Sequence, residues 1–325
     1  MTTRQTRQFL IAVALAACAS RGWAQAYPAK PVRIVIPIPA GGPADALIRA
    51  VAPELSAMWK QPVVIDNRPG ASGIIGTDIV AKSAADGHTI LYADSSIAVN
   101  QMVFRSLPYD TMRDLTPVSA LVTWRAMIVV NGKVPVDSLQ DLVTRAKANP
   151  GKLNYASYGV GSSPHIALEM FKQLAGIDLV HVPYKGASAV LPDIISGTVQ
   201  VAWMSINSIR GAAKEGRVKV LAVDGIKRMV ELPDVPTFNE LGYAQMQANA
   251  IWLGLFVPAG TAPAIVDKLY RDVLTVLTEP SFKEQRLTQR AYELIGSTPE
   301  QLTTLMRETA VRFAPIIKSA GIVVE

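Results

Sequence analysis

Short, nearly continuous apolar runs alternate along the chain with longer stretches whose apolar residues recur at helical spacing. The first run, Val32–Ile36, leads into a glycine-rich turn, and the stretch after it puts Leu47, Val51, Leu55 and Met58 on one helical face. The same reasoning predicts strands over residues 63–65, 89–92, 127–130, 153–156, 179–182, 199–203, 218–223 and 251–257, with helical runs between them. Such alternation is the α/β class, and it predicts a mostly parallel sheet. From Pro263 onward no strong strand pattern is visible, and helices are expected over 264–277, 280–290 and 299–314.

At 325 residues one hydrophobic core has usually stopped growing, so two lobes are expected. No long Pro/Ser/Gly-rich linker interrupts the middle of the chain, which therefore crosses between lobes more than once. The outward crossing is placed near 121–127 and the return near 247–251. One lobe then comprises 27–126 plus 248–325, and the other 127–247.

Composition is that of a globular protein, 50% hydrophobic and 18% charged. Residues 4–26 change how the charge is counted. Arg4 and Arg7 precede an apolar run over 9–17, and Ala24, Gln25 and Ala26 supply a small-x-small cleavage pattern, so 1–26 reads as a signal peptide cut after Ala26. About nine apolar residues are half of what a membrane-spanning helix needs. A second reading makes Leu15 to Cys18 a lipobox, with Cys18 lipidated. Cys18 is the only cysteine, so no disulfide or thiolate metal site is expected in the mature chain. Losing Arg4, Arg7 and Arg21 with the leader leaves about +3 of the formal +6. With no basic run of five or more, a nucleic-acid partner is not expected.

Two turns carry candidate chemistry. Ile38, Pro39, Ala40, Gly41, Gly42, Pro43, Ala44 and Asp45 follow a strand and open a helix, with Pro43 suited to the first helical position. Tyr158, Gly159, Val160, Gly161, Ser162, Ser163, Pro164 and His165 do the same after the run at 153–156, with Ser163 suited to the N-cap. Unpaired amides and the positive end of the dipole make each helix start either a structural cap or an anion site. Facing each other across a cleft, the two would suit a small carboxylate. Asp45 either caps its own helix or meets a polar group of the ligand. His165 is either a polar group of the binding turn or a solvated first-turn residue.

Catalytic patterns are missing. His88, His165 and His181 have no metal-ligand spacing, and neither HExxH nor GxSxG occurs. Pro164 holds the place of the third glycine of a dinucleotide fingerprint, so no cofactor is expected. Trp124, Trp203 and Trp252 read as core, with room for one to face a cleft.

Together with their neighbours these turns resemble the Bug family, the extracytoplasmic solute receptors of tripartite tricarboxylate transporters. The matching segments are 27–31, 39–45, 66–73 (DNRPGASG), 107–110 (LPYD), 148–155 (ANPGKLNY), 161–165, 182–186 (VPYKG), 232–237 (LPDVPT) and 254–260 (GLFVPAG). The resemblance implies a type II periplasmic-binding-protein fold, two αβ lobes closing over a small organic carboxylate. It also implies a monomer that delivers its ligand to membrane transporter subunits. A receptor for a signalling partner, or a secreted enzyme on the same scaffold, are the alternatives. By the resemblance the contacts come from 38–45, from 158–165 and from 93–97. In this third region Asp94 intrudes among Ser95 and Ser96, and the segment is one residue shorter than in relatives. Met204 stands in a Trp-Met-Ser run where many relatives have Phe-Asp. Asp94 favours an amine-bearing ligand and Met204 an apolar one.

Overall fold

The computed structural model describes residues 27–248 and 251–324. The expected leader, its cleavage site and Cys18 lie outside them, as does part of the expected return crossing.

Eleven strands and eight helices of eight or more residues are described. The strands are β1 (Val32–Ile36), β2 (Val63–Asn67), β3 (Thr89–Asp94), β4 (Leu115–Trp124), β5 (Ala126–Asn131), β6 (Asn154–Ser157), β7 (Val180–Pro183), β8 (Val201–Ser205), β9 (Val218–Val223), β10 (Ile251–Pro258) and β11 (Tyr292–Leu294). The helices are α1 (Pro43–Trp59), α2 (Ile74–Ala81), α3 (Leu139–Ala148), α4 (Ser163–Ala175), α5 (Ala187–Ser196), α6 (Ile206–Lys214), α7 (Pro263–Thr278) and α8 (Pro299–Ser319).

The strands form two sheets, ordered β11-β4-β10-β3-β1-β2 and β7-β6-β8-β5-β9. Each is covered on both faces. In the six-stranded half, α1 and α7 bury Leu47, Ile48, Val51, Leu55, Leu269 and Val273 against one face, while Val80 of α2 and Leu302 and Met306 of α8 cover the other. β10 lies between β3 and β4 and is buried at every position, which is why its run is apolar without alternation. In the five-stranded half, α3 and α4 cover one face around Trp203 and Phe171, and α5 and α6 cover the other around Val129 and Met204. A fully buried side chain of this kind contributes about 1.5 to 3 kcal/mol. The double-sided layering therefore holds each half without a disulfide.

The chain leaves the first sheet at Trp124 and enters the second at Ala126, so at this crossing only Arg125 lies between them; the chain returns between β9 and β10. Asp224, at the end of β9, is buried beside it and accepts from the Ala126 amide at 3.0 Å. Arg125 Nε lies 3.5 Å from the same carboxylate oxygen. Burial pushes the Asp224 carboxyl up to about 7, against the opposing pull of the amide and of Arg125.

Three expectations change. The sheets are mixed rather than mostly parallel: β4, β5, β9 and β10, the strands nearest the crossing, pair antiparallel to their neighbours. β4 escapes the sequence pattern because Pro117 and flanking hydroxyl residues break its apolar run; Pro117 sits at a register shift opposite Phe256, where a missing N–H is tolerated. The stretch 280–290 is not one helix. It breaks into a short turn at Pro280–Phe282, a π turn at Lys283–Leu287 and a 3-10 turn at Thr288–Arg290, and the three-residue edge strand β11 follows.

Candidate functional site

The loop between β1 and α1 is organised by one carboxylate. Asp45 is buried at 3% exposure; its Oδ2 accepts from the Gly41 amide at 3.0 Å and from Arg49 Nε at 2.9 Å, and its Oδ1 accepts from Asn67 Nδ2 at 2.9 Å. Asn67 Nδ2 also donates to the Ile38 carbonyl at 3.1 Å, so β2 braces the turn that leaves β1. Burial alone would raise the Asp45 pKa, but Arg49, the Gly41 amide and Asn67 outweigh it and hold the carboxyl below its ordinary range. Asp45 is therefore the anchor of its own turn. Gly41, at φ +89°, donates its amide to the Asp45 carboxylate.

The loop between β6 and α4 has a different brace. Ser162, not Ser163, is the N-cap, and its hydroxyl turns back to the Gly159 carbonyl at 2.7 Å. His165 is buried, and its Nδ1 accepts from the Gly161 amide at 3.0 Å. The His165 ring stacks on His181 at 3.8 Å, and His181 Nε2 is 2.6 Å from the Ser157 hydroxyl, which contacts both the amide and the carbonyl of Gly159. Burial, then the neighbouring His181 and Lys172, lowers the His165 pKa to about 3. Burial also lowers His181 to about 4, with Lys172 assisting and Glu169 opposing. Both rings are thus neutral supports of the turn rather than solvated groups or proton carriers. An NMR titration should find neither ring changing charge between pH 8 and 5; a transition near pH 6.5 in either would contradict the arrangement. Because both folded values lie below the ordinary 6.5, the stability these rings lend is complete above pH 6.5 and is lost as pH falls toward about 4.

These loops face each other across the two halves. The Ser95 and Ser163 hydroxyls meet at 3.0 Å, both buried, and Ser72 Oγ donates to the Val160 carbonyl at 2.9 Å. Gly161 is packed against Val103 so closely that a Cβ there would lie 2.5 Å from its Cγ1. Val99, Val103, Phe313 and Ile317 of the six-stranded half form one apolar cluster with Ile166 of α4. The halves are therefore in contact, as in a closed cleft.

Between them lies a cavity of about 520 Å³, within the size range of small-ligand sites. From the first loop it is lined by Ile38, Pro39, Gly42, Pro43 and Ala44, from the second by Tyr158, Gly159 and Ser162, and after β3 by Asp94 and Ser96. Asp45, Ser95, Gly161, Ser163 and His165 are buried and do not line it, and Ala40 and Gly41 are exposed on the protein surface outside it. Met204 does not reach it: strand alternation turns its side chain, 1% exposed, into the cluster under α5 and α6, and Ser205 and Ser208 line the cavity instead. Of Trp124, Trp203 and Trp252, the first lines the cavity, while the other two are core.

Two further walls were not expected from sequence. One is 69–73, where Gly70, Ala71, Ser72 and Gly73 all have positive φ, a run in which two non-glycine residues are held in a sparsely populated conformation. The other is 183–188, where Gly186 at φ +131° opens α5 against Pro39. The signal for the second was available, since a glycine directly before a helical pattern had already marked the other loops. Among the described lining residues, Asp94 is the only carboxylate and Lys185 the only cation.

Residues 47–322 match the model of the tripartite tricarboxylate transporter family receptor. BugT of Bordetella pertussis is 34% identical over 313 residues, 96% of this chain and 95% of that one. Among solved structures, Rpa4515 of R. palustris with adipate is 32% identical with a TM-score of 0.86, covering 92% of this chain and all of that one. MatC of Rhodopseudomonas palustris with bound malate is 28% identical with a TM-score of 0.82, covering 90% of this chain and all of that one. With two mixed α/β halves closed over a cavity and a match running nearly the length of the chain, this protein belongs to the tripartite tricarboxylate transporter receptor family, the Bug-type solute-binding proteins.

Proposed function

We propose that this protein captures a small organic carboxylate in the closed cavity and delivers it to membrane transporter subunits. The observation that carries this reading is convergence: the N-terminal ends of α1 from one half and of α4 and α5 from the other open on the same space. Each such end favours an anion by about 0.3 to 2 kcal/mol, and bound adipate and malate in two relatives are carboxylates of suitable size. Residues 27–126 with 248–325 act as one lobe and 127–247 as the other, hinged at Arg125. Ligand stabilises the closed form because only there do helix ends from both lobes reach it. No bond is broken in this cycle; the ligand enters and leaves unchanged. The leader over 1–26 places the receptor in the periplasm.

A thermal-shift series on residues 27–325 with mono-, di- and tricarboxylates, amino acids and sugars tests the reading. A matching carboxylate at 100 times its dissociation constant adds about 2.7 kcal/mol, which raises the midpoint of a chain of this length by roughly 4 °C. A shift with sugars alone would overturn it.

A further inference from the structure

Asp94 is an anomaly in a cavity built for an anion. It ends β3, and its Oδ1 accepts from the Ser96 amide at 2.9 Å and from the Ser96 hydroxyl. No cation pairs with it among the described residues, and Lys185, the cavity's one lysine, forms no ion pair with it. Burial raises its pKa against those two hydrogen bonds. Two residues back on the same strand face, the Tyr92 hydroxyl is buried and has no hydrogen-bond partner among the described residues. The charge of Asp94 reaches both Tyr92 and Tyr158 closely enough to help burial raise their pKa values. Three aromatic rings, Tyr92, Trp124 and Tyr158, line the same space.

A carboxylate with a free oxygen, an orphan phenol and aromatic faces together form an environment for a cation. We infer that Asp94 and the Tyr92 hydroxyl receive a protonated amine, so that the ligand is an amino-carboxylate: its carboxylate at the helix ends, its ammonium at the end of β3. An ammonium has three donors, enough to serve more than one acceptor. It also removes the mismatch of a bare carboxylate in an anion-binding cavity. A second carboxylate at this position would meet Asp94 as a like charge, and a hydrocarbon would leave the Tyr92 hydroxyl and the second Asp94 oxygen without partners. The inference rests on the carboxylate reading above and narrows it.

Calorimetry with matched pairs tests it: aspartate and succinate, glutamate and glutarate, 5-aminovalerate and valerate, phenylalanine and 3-phenylpropionate. In the pair that fits, the amine-bearing member should bind about tenfold to a hundredfold more tightly, as expected for a charged hydrogen bond formed away from water. Asp94→Asn keeps a side chain that caps the turn after β3, so the fold should persist while the amine preference shrinks to about twofold. Acidification supplies a second readout. Affinity for the amine should fall as Asp94 gains its proton, whereas a dicarboxylate held by protonated Asp94 would bind more tightly in acid. Equal or tighter binding of the des-amino member in every pair, or an amine preference that survives Asp94→Asn, would overturn the inference while leaving the carboxylate reading intact. Binding by neither member of any pair would remove both.

Discussion

Gly161→Val is expected to weaken ligand binding by about a hundredfold or more while the far-ultraviolet circular dichroism stays that of the wild type. Gly161 has φ +77°, and a Cβ there would lie 2.5 Å from Cγ1 and 3.1 Å from Cγ2 of Val103, a stiff and fully buried side chain of the opposite half. The positive φ costs a β-branched residue about 1 to 3 kcal/mol, and the overlap adds to that only when the halves are together. Loss of about 3 kcal/mol from the closed state alone lowers apparent affinity roughly a hundredfold. Gly161→Ala should be milder, and Val103→Ala should partly restore it. Wild-type affinity in Gly161→Val would show that this contact is not part of the binding-competent state.

Asp45→Ala is expected to lower the melting midpoint by roughly 3 to 6 °C at pH 7. The substitution strips buried acceptors from the Gly41 amide, Asn67 and Arg49 together, at a cost of about 2 to 4 kcal/mol. The pH dependence has a definite sign. The folded pKa lies below 3.8, so the stability Asp45 contributes is complete above 3.8 and disappears as pH falls through the folded value. Wild type and variant should thus converge in acid. A midpoint within about 1 °C of wild type at pH 7 would mean the turn does not depend on this anchor.

The three prolines and four glycines of the loops at 38–45 and 158–165 made those loops legible from sequence, because each residue type has a narrow backbone use. The layered α/β order was legible for the same kind of reason: β1, β3, β9 and β10 are apolar runs long enough to stand out. β4 was hidden by Pro117 and β11 by its three residues, and both are placed by pairing with strands far away in sequence. Local pattern could not show which loops face the cavity. Ser205 and Met204 differ only by strand alternation, whose phase depends on the register of β8 against β5 and β6. The role of His165 depended on His181, which reaches it from β7. Asp94 drew attention as an acid among serines, but its lack of a cationic partner is a property of the assembled cavity.

The most direct test of the central claim is a crystal structure of the mature protein with a carboxylate that stabilises it. Carboxylate oxygens should lie about 2.7 to 3.2 Å from backbone amides at the starts of α1 and α4, with one half on each side of the ligand. A carboxylate held only at the rim by Lys185, or outside the cavity, would contradict capture by the facing helix ends.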